Sequence, residues 1–184
     1  MSQDGVAKND IVNRILDVEV KMFLRVPTGE EPACRADIEN MRLHRRGQFA
    51  GWSVGTCESY LRDLVTAEAS GKNLLTLKYA RMDNRIPPLS ESPDIPYIRD
   101  YYVDWQKLII SRYPNIMRGA RDITGFSNYL ISELETYSDK TLELLRLDVD
   151  ACRQAGGNMS LEVYESLAGQ SGYASLDDME KSLK

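Results

Sequence analysis

Apolar side chains recur at helical spacing along most of the chain, and this pattern constrains the fold more than any other feature. Ile11, Ile15, Val18 and Met22 follow one another at intervals of three and four residues, which places them on one face of an α-helix. The same spacing recurs in residues 98–109. No segment of useful length alternates apolar and polar residues as a strand does. The sequence therefore predicts an all-α fold, a helical bundle of about six or seven helices.

Two turns that share a Gly and an Asn at matching positions lie 85 positions apart and indicate that the chain contains two related halves. Gly71 and Asn73 correspond in this way to Gly156 and Asn158. Glycine often ends a helix in the left-handed conformation, and asparagine often caps the next helix. Either a duplication or independent use of the same turn residues explains the match. The same offset pairs Thr56 with Thr141, Glu58 with Glu143, Asp63 with Asp148 and Tyr79 with Tyr164.

Chain length and proline positions suggest how the chain is organised. A chain of 184 residues is long enough for one domain with a substantial core. We predict that residues 1–10 form a disordered polar tail and that residues 11–184 form a single all-helical domain. Residues 84–96 are predicted to link two pseudo-repeats at about 11–83 and 96–168, because a continuous helix there is prevented by Pro87, Pro88, Pro93 and Pro96.

Charge balance and the shortness of the apolar runs exclude several classes of protein. The chain has 23 Lys and Arg against 28 Asp and Glu, a net charge of -5, whereas general nucleic-acid binders carry a basic surface. The apolar runs are much shorter than the roughly 20 residues that span a bilayer. Cys34, Cys57 and Cys152 show no paired spacing and fit reduced thiols. We expect a cytoplasmic protein that contacts neither nucleic acid nor membrane.

Familiar catalytic and metal-binding patterns are incomplete in this sequence. Residues 51–55 read G-W-S-V-G, which matches the nucleophile elbow of serine hydrolases, but that elbow needs a preceding strand and a later histidine. We predict that this stretch is helical, and the one histidine, His44, precedes it. One histidine and scattered carboxylates give neither a zinc site nor a di-iron site. The sequence therefore indicates no metal site, and it identifies no cofactor.

Three glycines are spaced four residues apart at Gly47, Gly51 and Gly55. Each glycine within a helix costs roughly 1 kcal/mol relative to alanine, so a packing or binding reason is expected. In one continuous helix the three would lie on one face. The sequence predicts that another helix crosses closely there, with a ligand cradle as the alternative.

A polar and aromatic pocket between the two halves is the leading candidate site. Two sets of residues each share one helix face: Arg45, Gln48 and Trp52 in the first half, and Tyr129, Glu133 and Tyr137 in the second. The 85-residue offset pairs Gln48 with Glu133 and Trp52 with Tyr137, so these groups are predicted to face each other. Aromatic clefts with a few convergent polar groups hold small ligands. A satisfied structural network between the halves explains the same pattern equally well.

Arginines are concentrated around this region of an acidic chain at Arg45, Arg81, Arg118 and Arg121. A guanidinium group binds carboxylate or phosphate through two hydrogen bonds, so the cluster suggests a small anionic molecule, although internal ion pairs are the more common explanation. In an enzyme, Glu133 would transfer a proton and Tyr79 or Tyr137 would donate a hydrogen bond. Cys34 adjoins Arg35, whose charge could make that thiol reactive.

Several segments resemble an uncharacterised prokaryotic family, domain-of-unknown-function family 4125. These segments are RGQFAGW, ESYLRDLVTAEASGKNLLTLKYARM, NYLISELETYSDKTLELL and GYASL. The resemblance covers most of the chain and implies a small bacterial or archaeal protein of unassigned activity. The extension that follows the YARM stretch in the family is shortened here to residues 83–96, so a site that uses it would be altered.

Two functions are the main candidates from the sequence, and a redox or cofactor carrier is a third that no phosphate-binding loop supports. One is a small-molecule enzyme or binding protein whose cleft lies between the halves. The alternative is a non-catalytic module for protein interaction or homodimerisation. The first predicts a deep polar pocket, whereas the second predicts a large exposed apolar patch.

Overall fold

The computed structural model describes residues 3–27 and 38–184, which form nine α-helices and no strand. The helices are α1 (Gln3–Leu24), α2 (Ile38–Gln48), α3 (Val54–Ala69), α4 (Leu74–Met82), α5 (Asp94–Arg112), α6 (Ile123–Leu134), α7 (Asp139–Gln154), α8 (Met159–Gln170) and α9 (Leu176–Ser182). The all-α prediction is confirmed for this part of the chain. Within it, no helix combines the length and the apolar character that a membrane crossing requires.

The structure contains more helices than the predicted six or seven because two long predicted helices are interrupted. The first breaks at residues 49–53, and the second breaks at residues 135–138. A serine side chain caps the following helix in each case: Ser53 accepts from the Thr56 N–H at 3.2 Å, and Ser138 accepts from the Thr141 N–H at 3.3 Å. The prediction of a continuous helix through residues 51–55 is therefore wrong.

Two helices begin earlier than the sequence predicts. Helix α1 begins at Gln3, so residues 3–10 are helical where a disordered tail is predicted, and the Lys8 ammonium group donates to the Ala50 carbonyl at 2.7 Å. Helix α5 begins at Asp94, which places Pro96 in its first turn. Proline is tolerated there because the first N–H groups of a helix have no intrahelical partner. The connection between the halves is thus shorter than residues 84–96.

Both Gly-Asn turns occur where the sequence predicts them, although the helices that each turn joins, α3 with α4 and α7 with α8, pack mainly against other helices. Gly71 and Gly156 have φ angles of 73° and 69°, which lie in the left-handed region that favours glycine. The side chain of Asn73 caps α4, and the side chain of Asn158 caps α8. Each asparagine also binds the first helix of its own half, since its amide nitrogen donates to the carbonyl of Met22 or Trp105.

Helices from the two halves pack against each other in a crossed arrangement. Helix α1 packs against α2, α3 and α4, and helix α5 packs against α6, α7 and α8. Across the halves, α2 contacts α8, α4 contacts α6, and α3 contacts α7. The larger apolar core consequently contains side chains from both halves. A smaller cluster extends it toward α9: Ile109, Tyr113, Met117, Ala168 and Leu176.

Gly47 and Gly51 allow the close approach between α2 and α8. A Cβ atom on Gly47 would lie 3.2 Å from the carbonyl oxygen of Val163, and one on Gly51 would lie 2.9 Å from the Glu162 carboxylate. A Cβ atom on Gly55 would meet nothing closer than 3.9 Å. The predicted close helix crossing therefore holds at Gly47, and Gly51 lies close to α8 from the turn that follows α2.

Two aspartates connect α3 and α7 through equivalent hydrogen bonds. Asp148 Oδ2 accepts from the Ser53 N–H at 2.8 Å and from Thr56 Oγ1 at 2.6 Å. The same pattern occurs with the roles of the two helices exchanged: Asp63 Oδ2 of α3 accepts from the Ser138 N–H at 3.0 Å and from Thr141 Oγ1 of α7 at 2.6 Å. Each carboxylate therefore binds the first turn of the facing helix, where negative charge is favoured.

The Asp148→Ala variant is expected to lower the free energy of unfolding by about 1–2 kcal/mol, because a charged acceptor of two hydrogen bonds at the start of α3 is lost. Asp63→Ala should cost a similar amount, since it removes the equivalent bonds. Urea unfolding monitored by circular dichroism measures both effects. Asp104→Ala is the control, because the Asp104 side chain is 72% exposed and pairs with the neighbouring, exposed Lys107. Equal stability of the Asp104 and Asp148 variants would contradict the prediction.

Candidate ligand site between the two halves

Four charged side chains meet in the core between the halves, and we refer to them as the charge cluster: Glu19, Arg45, Lys78 and Glu133. Arg45 lies between the two carboxylates, with Nε 2.8 Å from Glu19 Oε2 and Nη1 2.7 Å from Glu133 Oε1. Lys78 Nζ donates to Glu133 Oε2 at 2.9 Å. Glu19 is 0% exposed and Glu133 is 5% exposed. The two positive and two negative charges cancel, so the cluster is neutral as a whole.

Hydroxyl and amide groups complete the hydrogen bonding of the charge cluster. The Tyr60 hydroxyl donates to Glu19 Oε1 at 2.7 Å, and the Tyr137 hydroxyl donates to Glu133 Oε1 at 2.8 Å. Arg45 also donates to Gln48 Oε1. Because an arginine N–H can only donate, the oxygen of the Gln48 amide must face Arg45, and its NH₂ group is directed elsewhere.

Burial and ion pairing act in opposite directions on the pKa values of the cluster. Burial alone would raise the pKa of Glu133, but Arg45 and Lys78 hold it well below its usual range. Burial alone would lower the pKa values of Arg45 and Lys78, but their carboxylate partners raise both. Burial, and after it the charge of Glu133, raises the pKa of Tyr137. Glu133 is therefore ionised at neutral pH and is a weak proton acceptor.

Two cavities adjoin the charge cluster, and both are lined by His44, Gln48, Tyr129 and Glu133. The smaller, which we call the charged cavity, has a volume of about 200 Å³ and is also lined by Arg45, Tyr60, Lys78 and Tyr79. The larger, the apolar cavity, has a volume of about 320 Å³, and its further lining includes Trp52, Tyr102, Phe126, Leu134, Leu145 and Leu167. The two cavities thus share one wall and differ in chemistry.

Corresponding positions of the two halves line the two cavities. Under the 85-residue offset, Arg45 and Lys78 of the charged cavity correspond to Leu130 and Val163 of the apolar cavity. Positions that carry cations in one cavity are therefore occupied by aliphatic side chains in the other.

A few polar groups interrupt the apolar lining of the larger cavity. Ser160 is 4% exposed, and its hydroxyl has no hydrogen-bond partner in the part of the chain that the structure describes. Gln106 Nε2 donates to the Tyr164 hydroxyl oxygen at 3.0 Å.

In the charged cavity, Lys78 Nζ lies 3.7 Å from the centre of the Tyr129 ring, a cation–π contact. Within residues 3–27 and 38–184, no group of three potential metal ligands occurs.

The structure brings together seven of the residues that the sequence suggests for a site, since each lines at least one cavity: Arg45, Gln48, Trp52, Tyr79, Tyr129, Glu133 and Tyr137. It does not bring the other three arginines to either cavity. Arg81 donates to Glu135 at 2.7 Å. Exposed Arg118 and Arg121 donate to Asn115 and to the Pro114 carbonyl. Cys34, the suggested reactive thiol, lies outside the described residues.

Three residues in or next to the charge cluster are not among those that the sequence suggests: Glu19, Tyr60 and Lys78. A signal for Glu19 exists, because it lies four residues after Ile15 and three before Met22, within the apolar face of α1. Lys78 follows Leu74 and Leu75 at the same helical spacing. A charge in an apolar stripe is costly to bury unless it is paired. Such positions therefore indicate buried partners elsewhere in the chain.

A family model described as "Protein of unknown function (DUF4125)" matches residues 9–181. The chain belongs to this family. The matched residues contain the entire charge cluster and the lining of both cavities, and the predicted resemblance is confirmed. No curated protein and no solved structure matches the chain. A function for this member of the family consequently has to be argued from the geometry of the site.

Proposed function

We propose that the protein binds a small molecule in the apolar cavity, next to the charge cluster and between the two halves. The buried Ser160 hydroxyl carries this proposal, because it lines an aromatic cavity and lacks a partner in the described chain. A buried hydroxyl without a hydrogen bond costs free energy that a ligand can recover. The volume of about 320 Å³ lies near the lower end of the range for ligand pockets, roughly 300–1,000 Å³.

The charge cluster supports a functional use of this region. Apolar residues of similar volume often match or exceed the stability of a buried ion pair, so stability alone gives little reason to keep four charges in the core. The cluster fixes Gln48 and Glu133 in the wall that both cavities share. A rigid polar wall beside an apolar cavity would orient a ligand and select its polar end.

Binding has more support than catalysis or anion capture. Arg45 is already paired with two buried carboxylates. These carboxylates neutralise its charge, so an anionic metabolite would be only weakly attracted. Arg81 pairs with Glu135 outside both cavities. The depressed pKa of Glu133 also argues against a role in proton transfer. The proposal is therefore a binding function without an assigned reaction.

We also infer that residues 11–184 form one domain of two pseudo-repeated halves, at about 11–83 and 96–168. The bounds of α3 and α7 correspond under the 85-residue offset, and the two aspartates that join these helices make equivalent bonds. A binding site at the junction of two repeats would explain why two related cavities lie next to each other.

Cys57 and Cys152 are free thiols, which supports a cytoplasmic location.

Native mass spectrometry of the protein purified from its source tests the proposed binding. We expect a small molecule to remain bound to the wild-type chain. Most molecules of the Ser160→Leu variant should lack it, because the larger side chain occupies the cavity. The variant should also be more stable by about 1 kcal/mol, since it removes an unpaired hydroxyl and fills space. Gln154→Leu is the control because Gln154 is exposed and lines neither cavity.

Two outcomes of this experiment would contradict the proposal. One is a retained molecule on Ser160→Leu at the wild-type level, which would place the ligand elsewhere. The other is a wild-type protein that carries no adduct and is present only as a homodimer. That result would favour the alternative function, an interaction or homodimerisation module.

A further inference from the structure

We propose that the ligand of the apolar cavity is an uncharged molecule with a flat apolar body and a hydrogen-bond acceptor oxygen at one end. This inference rests on the proposed binding function. It follows from the hydrogen-bonding groups that the cavity offers, from the placement of charges around it, and from its aromatic lining.

Three polar groups in the lining of the apolar cavity can donate a hydrogen bond: those of Gln48, Ser160 and Tyr164. The Ser160 hydroxyl is unpartnered within the described chain and can donate. The Tyr164 oxygen accepts from Gln106, which leaves the hydroxyl proton of Tyr164 for another acceptor. Gln48 directs its oxygen to Arg45, so its remaining polar group is the NH₂ donor. A ligand that satisfies these donors must present acceptor atoms.

The carboxylate in the shared wall is already engaged. Glu133 accepts from Arg45, Lys78 and Tyr137 at 2.7, 2.9 and 2.8 Å. A donor on the ligand would therefore compete with three existing hydrogen bonds, two of them from cations. This arrangement disfavours an ammonium or another strongly donating head group.

The charges around the cavities disfavour an anionic ligand as well. The two cations of the site line the charged cavity, where each is paired with a carboxylate. The corresponding positions in the apolar cavity are Leu130 and Val163. An anion there would lose its hydration without gaining a counter-ion, which is strongly unfavourable. The head group is therefore expected to be neutral.

Aromatic residues on several sides of the cavity favour a flat ring as the body of the ligand. Trp52 and Tyr137 line the cavity in an edge-to-face pair, with ring centres 5.9 Å apart and an interplanar angle of 82°. Phe126 and Tyr102 add further aromatic surface. Rings pack well in such lining because offset and edge-to-face contacts are both available.

Three probes with the same ring and different head groups test the inference by isothermal titration calorimetry on the full chain: naphthalene-2-carboxamide, naphthalene-2-carboxylate and 2-naphthylmethylammonium. We expect the neutral carboxamide to bind at least about tenfold more tightly than either charged probe. Equal or tighter binding of a charged probe would overturn the inference, and so would an absence of carboxamide binding up to its solubility limit.

Two serine variants test the contact that the head group makes. Ser160→Ala should weaken carboxamide binding about three- to tenfold, the loss expected for one neutral hydrogen bond. Ser132→Ala is a matched control, since Ser132 is also buried, its hydroxyl has no partner among the described residues, and it lines neither cavity. Both variants should fold, because each removes an unpaired hydroxyl. An equal effect of the two substitutions would contradict a direct contact with Ser160.

The probe experiment and the native mass spectrum can fail independently. If none of the three probes binds but the purified protein retains another molecule, the inferred ligand class is wrong and the binding function stands. If no probe binds and no molecule is retained, both proposals are wrong.

Discussion

Replacing Glu133 with glutamine is expected to lower the free energy of unfolding by about 3–5 kcal/mol, as when one partner of a buried ion pair is removed. The carboxylate is the shared counter-charge of Arg45 and Lys78, and a neutral amide would leave the cluster with a net positive charge in the core. The amide nitrogen would also replace one acceptor oxygen by a donor facing other donors. Urea unfolding of the wild type and the variant measures the difference.

The matched control for this variant is Glu143→Gln, which makes the same chemical change at an exposed position. Glu143 accepts from Lys140 at 2.8 Å, and both side chains are more than half exposed. Exposed ion pairs contribute little to stability, so the unfolding midpoint should not change. Wild-type stability of Glu133→Gln would contradict the structural importance of the cluster and would make Glu133 a candidate for proton transfer again.

A second variant separates the loss of charge balance from the loss of the side chain. Combining Lys78→Met with Glu133→Gln leaves Glu19 and Arg45 as a neutral pair. The double variant should therefore be more stable than Glu133→Gln alone, because contacting residues in one network are not additive. A double variant that is less stable than Glu133→Gln would show that the shape and hydrogen bonding of Lys78 matter more than charge balance.

Local turn chemistry made part of the fold predictable from the sequence. Gly71 with Asn73 predicts the turn between α3 and α4, because both the left-handed glycine and the asparagine cap depend on neighbouring residues only. The breaks before α3 and α7 were not predictable in this way. Ser53 and Ser138 stand within runs of helical periodicity, and each backbone N–H binds an aspartate 95 or 75 positions away. Such tertiary bonds leave no local signal.

The candidate site was predictable where helical periodicity alone decides which residues share a face. Gln48 and Glu133 meet through Arg45, as their positions on two helix faces suggest. The positions of Arg118 and Arg121 follow instead from the path of an irregular segment, and sequence spacing does not determine that path. Glu19 escaped prediction because a single charge in a helix is usually solvated, and its buried partners lie in distant segments.

Acidification is expected to destabilise the protein through protonation of Glu133. The pKa of this carboxyl in the folded protein is well below its ordinary value, whereas in the unfolded chain it should be about 4.3. Between these values unfolding takes up a proton, so stability decreases as the pH falls. The contribution of Glu133 is complete above a pH of about 4.3 and is lost below it at about 1.4 kcal/mol per pH unit. The free energy of unfolding, measured by urea unfolding from pH 7 to pH 3, gives this slope.

Two variants assign the acid dependence to its source. Burial would raise the pKa of Glu180, but hydrogen bonds from the Ile116 and Asn115 N–H groups lower it, so the stabilisation from Glu180 is also lost as the pH falls below its ordinary pKa. The Glu180→Gln variant should retain the slope that Glu133 produces. The double variant of Lys78→Met and Glu133→Gln should have a shallower slope than the wild type, because the depressed carboxyl is gone. An unchanged slope in that double variant would show that acid stability is governed by carboxylates outside the charge cluster.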